Sequence, residues 1–147
     1  MASSSELSNR QFGHQHVVSR KLWERLTARI AREHELSLDD ASRVFDQTLG
    51  FLRLVALVPH TAYSPSPMVD KGWHVLILYT EEYAALCQSL AGRFIHHVPL
   101  DGPADPLANN VARTVLAMRL HGLHVDEDLW NGTLGDCCGE NDHTCVG

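Results

Sequence analysis

Aspartate and histidine occur in this chain at a spacing that can hold a metal ion. Asp70 and His74 stand four residues apart in Val69-Asp70-Lys71-Gly72-Trp73-His74. On a helix that interval puts both side chains on one face, and the zinc-protease helix sets its two histidines at the same interval. His96 and His97 follow in Phe94-Ile95-His96-His97-Val98-Pro99, which reads as an extended segment. Neighbours in an extended chain point to opposite faces, so one of the two is expected to face Asp70 and His74. One carboxylate and two imidazoles make the facial set of non-haem iron, or a three-ligand zinc site with an open position. Zinc or iron is therefore the expected divalent ion, with copper as a further candidate. A bound water or O2 at the open position would give hydrolytic or oxidative chemistry, and no residue is assigned a catalytic role.

The same residues have a structural reading. A carboxylate in the first turn of a helix is stabilised by the dipole without any ion, and His74 can simply pair with it. Trp73 is expected in the core, Tyr83 as core or as a donor to a bound ligand, and Cys87 as a small buried hydrophobe. These three would support the pocket. Burying Asp and His without partners is costly, so something must satisfy them, whether metal or protein.

A second cluster lies further on. Cys137, Cys138, His143 and Cys145 put three thiols and one imidazole within nine residues. Soft ligands of this kind suit zinc or Cu(I), although no Cys-x-x-Cys pair is present. The alternatives are an oxidisable tail, or a substrate for modification or thiol exchange.

The elements that must position these groups are helical. Val18, Leu22, Leu26 and Ile30 repeat every four residues, predicting a helix from Val17 to His34. Ser37 is a cap, followed by Asp39 and Asp40 where the dipole favours negative charge. The second helix carries Ala41, Val44, Phe45, Thr48, Leu52 and Val55 on one face and stops before Pro59. Ser66-Pro67 starts a third, expected to bend or break near Thr80, with Thr80 capping a further turn, and to end at Gly92. Leu107 to His121 is a further helix, and Val125 to Trp130 a short turn. The expected fold is all-α, a compact bundle of four to five helices. Residues 1–16 are expected to be a flexible arm, 17–131 a single helical domain, and 132–147 a disordered tail containing cysteine and glycine.

Composition limits the function classes. The chain has 147 residues, 44% hydrophobic and 20% charged, with net charge −6. Residues 1–58 hold eight basic and seven acidic residues, and 59–147 hold four and eleven. An acidic balance disfavours a nucleic-acid partner, and the acidic half is where a cation is attracted. No apolar run is long enough for a bilayer. No phosphate-cradling loop appears, so no nucleotide cofactor is expected. With no export signal, a reducing, cytoplasmic setting is expected, and the four cysteines are not read as a disulfide framework.

The block from Asp70 through Trp73-His74, Tyr83, Cys87 and Phe94-Ile95-His96-His97-Val98-Pro99 resembles that of the glycine-rich-domain-containing protein family. The chain is similar to its short bacterial members over about residues 40–131, and Asp128-Leu129-Trp130 with Cys137 to Cys145 resembles their ending. The resemblance implies that the block is one unit and implies no settled activity. Three functions stay open. One is a metal-binding helical protein, conceivably a metal-dependent enzyme acting on a small molecule or protein. Another is a protein–protein interaction module. The third is a thiol-metal carrier or modification substrate.

Overall fold

The computed structural model describes residues 12–98 and 111–132. Among these, a 3-10 turn at Gln15–Val17 precedes six helices. They are α1 (Arg20–His34), α2 (Leu38–Leu57), α3 (Pro67–Ile77), α4 (Thr80–Ala91), α5 (Val111–Leu120) and α6 (Glu127–Trp130). No strand occurs among the described residues. The fold is the expected all-α bundle.

The helix starts follow from their caps. Ser19, Ser37 and Ser66 each accept a backbone N–H three residues on, satisfying donors that the first turn leaves open. The first helix therefore starts at Arg20 rather than Val17. Ser66 also donates to the Leu129 carbonyl at 2.7 Å, which ties α6 to the head of α3. The break expected near Thr80 falls at Leu78 and Tyr79. The Leu78 and Tyr79 amides bond back to Val75 and Leu76, Tyr79 stands at the cap position, and Thr80 is the first residue of α4 rather than its cap.

Helix α2 is the hub. Twelve of its twenty residues are buried, and α1, α3, α4, α5 and α6 all contact it. The α2–α3 approach depends on Gly72. A Cβ there would collide with Thr48 Oγ1 and lie 2.9 Å from Val44 Cγ1. Thr48 Oγ1 instead donates within that gap, with the Val44 and Val69 carbonyls at 2.9 and 3.1 Å. Close packing here sets the depth at which α3 presents Asp70 and His74.

Residues 12–17 contribute to the folded body. Phe12 packs on Trp23 with ring centroids 5.3 Å apart, and His14 is fully buried.

Candidate metal centre

Helix α3 brings Asp70 and His74 together as their spacing predicts, with His74 Nδ1 3.3 Å from Asp70 Oδ2. The extended segment after α4 supplies the third group. His97 Nε2 lies 2.7 Å from Asp70 Oδ1, and its ring packs 4.4 Å from both the Trp73 and His74 rings. One ligand atom from each of Asp70, His74 and His97 falls within 4.8 Å of the others. Ligands held at ~2.1 Å around a tetrahedral zinc stand about 3.4 Å apart, a spacing comparable to that within this cluster. His74 is 59% exposed and His97 20%, so the cluster opens to solvent on the His74 side.

His96 lies outside the cluster, exposed, with its ring 4.8 Å from that of Phe94. The alternation of an extended chain separates the two histidines: Ile95 and His97 face the helices and His96 faces away.

Two of the block's residues, Trp73 and Tyr83, hold this segment in place. The Trp73 indole N–H donates to Tyr83 Oη at 2.9 Å, and Tyr83 Oη donates to the Ile95 carbonyl at 2.6 Å. Both aromatic side chains are buried, as is the free thiol of Cys87. Burial pushes the Tyr83 phenol well above its ordinary value, and Cys87 beside it adds in the same direction. Tyr83 therefore keeps its proton and remains a donor to Ile95. At the end of α1, burial and then the charge of Lys71 hold the His34 imidazole below its ordinary value.

A second polar assembly escaped the sequence reading. Asp46, Gln47 and His14 are buried together against α2. The His14 amide donates to Asp46 Oδ1 at 2.7 Å, Gln47 donates to Asp46 Oδ2 at 3.1 Å, and the Trp130 indole donates to Gln47 Oε1 at 2.7 Å. Its signal is the pair Asp46-Gln47 set between the apolar Val44-Phe45 and Leu49 in the middle of the helix, where apolar neighbours on both sides draw the pair towards the core. Cys137, Cys138, His143 and Cys145 lie outside the described residues.

Fold and cluster define a class: a small protein, all-helical among its described residues, with an Asp/His/His cluster that could hold a metal ion, carried by α3 and the segment after α4. The chain belongs to the UCP032817-like family, whose model matches residues 10–117. This corrects the resemblance to glycine-rich-domain-containing proteins. That resemblance covers about residues 40–131, whereas the matching family model starts at residue 10 and takes in α1 as well. Neither the curated proteins nor the solved structures give a match. No helix among the described residues is long and apolar enough to cross a membrane.

Proposed function

We propose that this protein binds a divalent metal ion through Asp70, His74 and His97. The observation that carries the reading is the convergence of these three ligand atoms within 4.8 Å. The donor set suits zinc, iron or copper. Asp70 would stand between the two imidazoles, and for His97 to bind through Nε2 the proton that Asp70 accepts at 2.7 Å would sit on Nδ1 instead, leaving the Nε2 lone pair for the ion. When bound, the ion would supply a Lewis acid open to solvent, the requirement for hydrolytic or oxidative chemistry on a small molecule. Trp73 would wall the site on its inner side.

The test is metal content and calorimetric titration with zinc, iron(II) and copper(II). Wild type should take about one ion per chain, as a single three-ligand site requires. Asp70→Asn, His74→Ala and His97→Ala should lose it, and His96→Ala should keep it. Binding of none of these ions by folded wild type would overturn the reading.

One observation favours a second reading. The His97–Asp70 bond and the His97–Trp73 contact already satisfy these groups without an ion. On that reading the cluster is a structural clasp within an interaction module, and chelator leaves the thermal midpoint unchanged. A thiol-metal carrier or modification substrate working through Cys137, Cys138, His143 and Cys145 predicts instead that removing residues 136–147 abolishes binding.

A further inference from the structure

Tyr83 shares no hydrogen bond or ring contact with the three candidate ligands, yet it stands where the segment carrying His97 is anchored. Its hydroxyl joins three pieces of chain: Trp73 of α3 donates to it, it belongs to α4, and it donates to the carbonyl of Ile95. Ile95 is buried beside it, and Phe94 packs edge-on to its ring at 5.2 Å. Two residues beyond Ile95 along an extended chain is the next side chain on the same face, and that residue is His97. A slip of one residue would put His96 over Asp70 and turn His97 to solvent. The segment has no ladder partner among the described residues, so its register rests on this anchor and on side-chain packing.

We propose that Tyr83 is a positioning residue that selects His97 over His96 as the third ligand. The inference rests on the metal reading above. The hydroxyl acts through the Ile95 carbonyl: it fixes where the segment meets α3, and thereby which imidazole faces Asp70. Trp73 contributes twice, orienting the hydroxyl through its N–H and supporting the His97 ring with its face. Partners of this kind behind a ligand typically set metal affinity by about 10–100-fold.

The experiment is copper(II) and zinc titration of wild type, Tyr83→Phe and the double variant Tyr83→Phe/His96→Ala, with electron paramagnetic resonance on the copper forms. Tyr83→Phe should lower affinity by about 10–100-fold and split the copper spectrum into two species, as His96 and His97 compete. Removing His96 from that variant should return one species while affinity stays low. Thr114→Val is the control for general destabilisation. It removes a buried hydroxyl that donates to the Ser64 carbonyl at 2.8 Å, away from the cluster, and should leave affinity and spectrum unchanged. A Tyr83→Phe protein with wild-type affinity and one spectrum overturns this inference alone. A Thr114→Val protein that loses affinity to the same extent also overturns it. Wild type that binds neither ion overturns the metal reading and this inference with it.

Discussion

His14 makes the stability of this protein depend on pH in a predictable direction. The imidazole is fully buried. Its Nδ1 lies 2.9 Å from Arg53 Nη1 and its Nε2 lies 3.0 Å from the His124 carbonyl. Arginine can only donate, so Nδ1 accepts and the ring proton sits on Nε2, donated to His124. A second proton would have to face the guanidinium. Burial is the main cause that holds the pKa of His14 below its ordinary value, and the charges of Arg53 and His124 add to it. The His124 carbonyl and Asp46 pull the other way without reversing it. In the unfolded chain His14 protonates near pH ~6.5, and in the folded protein it protonates only at lower pH. Below ~6.5 the unfolded state therefore binds more protons, and stability falls with falling pH until the folded form also protonates. One such group contributes a slope of up to ~1.4 kcal/mol per pH unit, or at most about 1 kcal/mol between about pH 6.5 and 5.5. Urea denaturation across pH 5.5 to 8 on wild type and His14→Gln measures the difference. Glutamine can accept from Arg53 and donate to His124 but does not titrate. The variant's profile should be flatter over this window, and the His34 contribution should cancel between the two proteins. Parallel profiles would refute the reasoning.

Three further outcomes follow from packing and pairing. Gly72→Ala should push α2 and α3 apart and cost ~1–3 kcal/mol, as overpacking does; an unchanged thermal midpoint would mean that the close contact with Thr48 is not a constraint. Trp130→Phe leaves the buried Gln47 Oε1 without its indole donor and should cost ~1–3 kcal/mol, read from denaturant midpoints at constant m-value. Arg43 donates to both oxygens of Asp126 at 2.7 and 2.8 Å and to Asp128 at 2.8 Å, with its side chain 17% exposed. Arg43→Ala should lose ~1.5–3 kcal/mol, and a double-mutant cycle with Asp126→Ala should recover most of that as coupling; additive losses would show that the pair acts independently.

The helices were legible because their signals are local. Serine caps, Pro67 at the first position of α3 and Gly92 after α4 act within one turn of themselves. The Asp70–His74 pair was legible for the same reason, since helix geometry alone brings residues four apart together. His97 was half legible: alternation implied that one histidine of the pair faces inward, but which one depends on Tyr83 and Ile95, contacts that spacing does not encode. Of the buried group around His14, only the Asp46-Gln47 pair left a sign in the sequence. A polar stretch around His14 looks like an arm until Asp46 and Arg53, 32 and 39 residues away, are placed beside it. The resemblance to glycine-rich-domain-containing proteins, drawn over about residues 40–131, gives way to the family whose model matches residues 10–117.

The contact between His14 and the His124 carbonyl joins residues 110 apart in the chain. The Arg43–Asp126 and Gln47–Trp130 bonds each span 83. All of these meet on or beside α2. Most helix contacts in a bundle are local and form fast, but closing so long a span carries an entropy cost before any bond rewards it. The rate at which this chain folds should therefore be governed by that closure, and the helices should be largely formed while residues 12–18 and 123–132 are still searching for α2.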